Sequence, residues 1–194
     1  MKAVPLHRYL LFGGIAAFGC AVDLLTKRWI FAWLGMPLQN PSHWLIDEIF
    51  GFTTSLNEGA LGGFGQGQSS LFGALSVVAI LGICYWLFVT RAAHDRLLTI
   101  ALGTVSGGIL GNLYDRLGLP GMKWMADPIH QAGEPVYAVR DWLHFKIDNV
   151  IDWPIFNIAD SLLLCGAALL ILHALTCEHP AEKSSCSQSE PASK

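Results

Sequence analysis

The chain has 194 residues, 53% of them hydrophobic and 14% charged, with a formal net charge of −3. That balance excludes an ordinary soluble domain, and it gives no basis for nucleic-acid binding, which needs a clustered excess of Lys and Arg. The five cysteines show neither CxxC nor Cys/His metal spacing, so free thiols are expected and no metal or other cofactor is.

The apolar residues fall in long blocks, and a block of about 20 residues suits a hydrocarbon core roughly 30 Å thick. The first block, 9–31, carries Asp23 and Lys27 near its end. A charged start before an apolar run also fits a cleaved signal peptide, but a signal peptide leads into a polar mature domain, and three more apolar blocks follow here. The segment 35–70 has no Lys or Arg and holds Asp47, Glu48 and Glu58, which places it outside the cell. Within it, Phe52-Thr53-Thr54-Ser55-Leu56 has the β-branched and aromatic content of a short strand, followed by a glycine-rich run over 59–67. A small β element on the outer membrane surface is predicted there.

The second block covers 71–90 and the third 97–114. Gly103, Gly107 and Gly111 recur at intervals of four in the third, giving it one glycine-lined face that a neighbouring helix can approach closely. The stretch 117–154, rich in Trp and Pro with several acids, is too polar to span and is predicted as an interfacial loop or short helix. The fourth block covers 155–176, and the Ser, Glu, Pro and Lys of 178–194 predict a disordered tail. The fold class is therefore an all-α membrane protein of four transmembrane helices, with a small extracytoplasmic β element and an interfacial loop or helix. Residues 1–177 form one membrane domain.

Lys2 and Arg8, the Arg91–Arg96 turn, and Lys183 and Lys194 all fall on one side of such a bundle, which makes that side, and both termini, cytoplasmic. Lys27 and Arg28 run against this rule. Local pairing and snorkelling to the interface account for them.

An ionisable group inside a span costs roughly 2.5 to 3.5 kcal/mol on insertion scales, so each one needs a reason. Asp23 and Lys27 close the first span, Asn112, Asp115 and Arg116 close the third, and Asn157 and Asp160 open the fourth. With alternating topology all three sets meet at the external membrane face. Asp23 and Lys27 stand at i and i+4, acid first, the favourable order for a helical pair. Asn112 with Asp115, and Asn157 with Asp160, are three apart and share a helix face. A structural role as ion pairs or caps is open for Asp23 with Lys27 and for Asp115 with Arg116. By position alone Asp115 is the more obvious acid to act in catalysis.

Five stretches, Asp23-Leu24-Leu25-Thr26-Lys27, Asn57-Glu58-Gly59-Ala60, Gly107-Gly108 through Gly111-Asn112-Leu113-Tyr114-Asp115-Arg116, Val139-Arg140-Asp141-Trp142, and Pro154-Ile155-Phe156-Asn157-Ile158-Ala159-Asp160-Ser161, resemble in order the motifs of the signal peptidase II, or lipoprotein signal peptidase, family. The resemblance covers about 8–176. It implies a bacterial aspartic endopeptidase of the cytoplasmic membrane that acts on lipid-modified prolipoproteins, cleaving before the diacylglyceryl-modified cysteine near the outer face. It implies Asp141 and Asp160 as the catalytic carboxylates. Asn57, Gly59, Asn112, Asp115, Arg116 and Asn157 then support the acids or bind substrate backbone, and Asp23 with Lys27 is a structural polar pair.

Two departures stand out. Trp142 replaces the usual Phe, and 117–137 is longer than the family's usual link, with Asp127 in the insertion as a rival acid. Two carboxylates suit the chemistry, since one takes a proton from water while the other donates to the scissile carbonyl. Ser55, Ser106 and Ser161 lack a His partner in any motif, and His144 reads as an interfacial histidine. Prolipoproteins and membrane lipid are the partners expected, acting on a monomer. Readings from other classes are a small ion-coupled transporter or channel subunit, whose sites usually lie at the bilayer midplane between internal repeats that this chain lacks, and an inactive assembly protein.

Overall fold

The computed structural model describes residues 3–60, 64–126, 128–147 and 150–177. Asp127 and the tail 178–194 lie outside the described residues.

Among the described residues, four helices have the length and composition to cross a membrane: α1 (Leu6–Leu34), α2 (Ser69–Cys84, extended by a π turn at Tyr85–Val89), α3 (Arg96–Arg116) and α4 (Ile158–Cys177). The 29 residues of α1 run about 43 Å at 1.5 Å per residue, beyond what the hydrocarbon core needs. Its last turns pack against the sheet. Gly35 then ends the helix at φ 76, a left-handed conformation that glycine adopts without strain, and its N–H returns to Phe31 O at 3.1 Å.

Helix α3 is the central column. Of its most apolar window 56% is buried, against 17%, 11% and 11% for α1, α2 and α4. The other three show Phe18, Leu25, Val78, Leu81, Leu164 and Ile171 outward to lipid. Because lipid is as apolar as the side chains, such helices hold together by close packing and internal polar contacts. The glycine face of α3 supplies the first of these. Cβ atoms added at Gly103, Gly107 and Gly111 would press on Ile15, on Ala16 O and on the Asp23 carboxylate of α1. Gly108 meets Ala159 O of α4 in the same way.

The sheet has four antiparallel strands in the order β1 (His43–Ile46), β2 (Phe50–Asn57), β3 (Val139–Ile147), β4 (Ile151–Phe156). The predicted strand at 52–56 lies within β2. The second half of the 117–154 link, expected as interfacial loop or short helix, forms β3 and β4 and enlarges the β element. Its Trp, Pro and charged residues obscure the alternation, and what makes them strands is pairing with β2, with Ser55 opposite Asp141 and Asn57 opposite Val139. Ile30, Phe31 and Leu34 of α1 pack with Trp142 and Leu143 of β3 as one buried cluster. A second cluster, around Leu87, Leu98 and Leu102, closes the opposite end of the bundle.

Candidate active site

Three helix ends and two strands converge below the sheet, and each delivers its polar residues for a local reason. Strand β3 alternates its side chains between faces. Arg140 therefore turns to α3, where its guanidinium grips Asp115 Oδ1 at 2.7 and 2.9 Å, while Asp141 turns the other way, to Asn57 and Asn157. At the entry to α4, Asn157 Oδ1 accepts from Asp160 N at 2.9 Å and Asp160 Oδ2 accepts from Asn157 N at 3.2 Å. This is the reciprocal cap of a helix N-terminus, built here from Asn and Asp. Asp23 Oδ1 accepts from the next free N–H of the same turn, that of Ala159, at 2.9 Å.

Beneath lies a buried charge network. Lys27, fully buried, holds Asp23 Oδ2 at 2.7 Å and Asp115 Oδ2 at 3.1 Å, and donates to Asn112 Oδ1 at 2.9 Å. Two cations, Lys27 and Arg140, thus face two anions, Asp23 and Asp115. Balance of that kind is what makes buried charge tolerable. Asp115 is consumed by it, since both oxygens are occupied by cations and by Arg140 N at 3.1 Å. Arg116 is not its partner. Arg116 instead reaches across to Gly59 O at 2.7 Å and lies over the Phe72 ring.

Asp141 and Asp160 are held differently, by neutral amides. Asn157 Nδ2 donates to Asp141 Oδ1 at 2.6 Å and Asn57 Nδ2 donates to its Oδ2 at 3.3 Å. Asn112 Nδ2 donates to Asp160 Oδ1 at 3.0 Å. Asn157 therefore bonds both acids at once, through its side chain to one and its backbone to the other. Asp141 is only 2% exposed. Burial, and then the negative charge of Asp160, push its carboxyl up to about 7.

Asp160, less buried, lines a cavity of about 300 Å³ with Asn112, Arg116 and Ala60 at its polar end and Leu75, Ala79, Ile109 and Leu163 along its walls. A larger cavity of about 610 Å³, between the end of α1 and the segment after α3, touches neither Asp141 nor Asp160. Asp160, and not Asp141, is among the residues that line the smaller one.

The structure thus brings together Asn57, Gly59, Asn112, Arg116, Asp141, Asn157 and Asp160, with Asp23, Lys27 and Asp115 as the layer beneath. Arg140 had no role in the sequence reading. Its one signal was position: beside an acid on a strand, it must face the opposite side and find an anion there. His144 lies away from this cluster, paired with Asp152 at 2.9 Å.

A family model described as Signal peptidase (SPase) II matches residues 15–176. The chain is 45% identical over 177 residues to a lipoprotein signal peptidase of Rhodopirellula baltica, covering 89% of this chain and 74% of that one. It is 33% identical over 166 residues to the lipoprotein signal peptidase of Bacillus subtilis, covering 86% and 94%. A solved bacterial membrane enzyme superposes with a TM-score of 0.71 at 25% identity over 96% of this chain and 98% of the other, and a second gives 0.65 at 27% over 90% and 96%. A match over that span, on a four-helix membrane frame with its polar residues gathered at one end, means that the chain belongs to the signal peptidase II family.

Proposed function

We propose that this member of the signal peptidase II family removes signal peptides from bacterial prolipoproteins as an aspartic endopeptidase, with Asp141 and Asp160 as its catalytic pair. The observation that carries this reading is the sharing of Asn157 by the two acids, which ties Asp141 to Asp160 beside the cavity that Asp160 lines, while Asp23 and Asp115 are each held by a cation.

The division of labour follows from the surroundings. Asp141, buried and titrating near 7, holds the proton and donates it to the scissile carbonyl oxygen. Asp160, open to the cavity, accepts a proton from the attacking water. Two neighbouring acids in a half-dry site share one proton, so the pair titrates as a unit. Asn57, Asn112 and Asn157 hold the acids through uncharged donors, which leaves that shared proton free to move. Arg116 and Gly59, tied to each other beside the acids, border the path of the substrate backbone, and the apolar walls suit a lipid-modified substrate that enters from the membrane. Cleavage falls before the diacylglyceryl-modified cysteine. The enzyme acts as a monomer in the inner membrane, with both termini cytoplasmic and the site near the outer face.

Asp141→Asn and Asp160→Asn are each expected to lower cleavage of a lipidated precursor peptide by about 10³-fold or more, the scale of losing a proton-transferring group together with its partner. Asp127→Asn leaves cleavage near wild type. Full activity in either of the first two variants overturns the pair.

A further inference from the structure

Between α3 and β3, residues 122–124 fold against 133–136 as a hairpin. Trp124 N donates to Glu134 O at 2.8 Å, Gly133 N to Trp124 O at 2.9 Å and Val136 N to Met122 O at 3.0 Å, with Lys123 and Pro135 bridged across. Its tip lays the His130 ring flat on the Trp124 indole, centroids 3.8 Å apart and planes within 4°. His130 Nε2 then lies 3.3 Å from Glu58 Oε1. A carboxylate only accepts, so Nε2 carries the hydrogen. The bond is long, and the stacked indole supplies the orientation that the bond alone does not. The two side chains are 15% and 20% exposed, so the contact is mostly shielded from water.

Glu58 directly follows Asn57, the residue that donates to Asp141 Oδ2. The turn is knotted around Asn57: Gly59 N donates to Asn57 Oδ1 at 2.9 Å, and Asn57 Nδ2 also donates to Ala60 O at 3.1 Å. Arg116 holds this turn through Gly59 O, and His130 holds it through the Glu58 side chain. At the foot of the hairpin, Tyr137 O accepts from Ser69 Oγ at the start of α2. Gln66 also holds the turn, its Oε1 accepting from Glu58 N at 3.2 Å and its Nε2 donating to Asn57 Oδ1 at 3.3 Å, so the His130 contact trims the freedom that these bonds leave, and a misplacement of about 1 Å at a reacting group costs as much as 10²-fold in rate.

We infer that the hairpin of residues 122–126 and 128–136 is a clamp on the 57–60 turn, in which His130, backed by Trp124 and bonded to Glu58, is a positioning residue that holds Asn57 against Asp141. This rests on the assignment of Asp141 to catalysis proposed above. The insertion is then part of how this chain sets its site.

The test is steady-state cleavage of a lipidated precursor peptide by the full-length chain in detergent micelles, with His130→Ala, His130→Gln, Glu58→Ala and the Glu58→Ala/His130→Ala double variant. His130→Ala lowers kcat about five- to tenfold with KM changed less than about twofold, the effect of loosened placement and not of lost substrate contact. His130→Gln, which keeps a donor at similar reach but loses the ring stacked on Trp124, recovers part of the loss. The double variant is no worse than the poorer single one, because both remove one contact. An unchanged kcat in His130→Ala, a rise in KM alone, a loss that Gln does not recover, or additive losses in the double variant overturns the clamp. Asp141→Asn, run alongside, separates the two ideas: residual activity there defeats the catalytic assignment, whereas the clamp fails on the His130 and Glu58 series alone.

Discussion

At the residue scale, the chemistry turns on which acids have been neutralised. Asp115 stands where position alone would look for a catalytic acid, and yet Lys27 and Arg140 occupy both of its oxygens. Asp141 has only amide donors on it and titrates near 7. A carboxyl raised in this way binds its proton more tightly folded than unfolded, so between roughly pH 4 and 7 the native state carries the extra proton and stability falls as pH rises. In the proposed mechanism the same proton is the one donated in cleavage. Rate is expected to decline above about pH 7, by roughly tenfold per unit, which a kcat-against-pH profile reads directly. Asp141→Asn, inactive, is expected to lose the stability difference between pH 5 and pH 8 that wild type shows in thermal unfolding. A profile flat to pH 9 contradicts this placement of the proton.

At the scale of elements, each helix end is both a structural joint and a piece of the site. The first turn of α4 has its N–H groups satisfied by Asp160, Asn157 and Asp23, so the residues that cap the helix also aim the proposed acids. Gly111 is small because a side chain there would fall on the Asp23 carboxylate. Lys27 ties α1 to α3 through Asp23, Asp115 and Asn112. Lys27→Met keeps the length of the side chain but leaves two carboxylates facing each other without their common cation. Breaking a buried pair in this way costs about 3 to 5 kcal/mol, and thermal unfolding of the purified protein is expected to show it as a markedly lower midpoint. An unchanged midpoint means that the network is not what joins α1 to α3. Spacing made the pair between Asp23 and Lys27 legible in the sequence, since i and i+4 share a face, but the third partner was not, because Asp115 is 88 residues further along the chain than Lys27 and nothing local records their meeting.

At the scale of the whole molecule, the bundle has two unlike ends. One carries the sheet, the clustered acids and the loop tip at Leu38, which is 99% exposed. The other carries the Arg91–Arg96 turn and the first residues of α1, joined by Arg8 donating to His94 O at 3.2 Å. With the basic end cytoplasmic, a single cysteine at Leu38 in a cysteine-free background is labelled by an impermeant maleimide on intact spheroplasts, and one at His94 only after permeabilisation. The reverse pattern inverts the topology.

The sequence by itself determined the four spans, the gathering of polar residues at one level of the membrane, and the close face of α3. These follow from local demands: a hydrocarbon core needs about 20 apolar residues per crossing, and a glycine every fourth residue lines one side of a helix. Only the tertiary structure decided the second pair of strands, the burial of Arg140 against Asp115, and the sharing of Asn157 by Asp141 and Asp160. Those depend on the register of β3 beside β2 and on how closely α1, α3 and α4 approach. A carboxylate's partners are chosen by distance in space, which spacing along the chain does not encode.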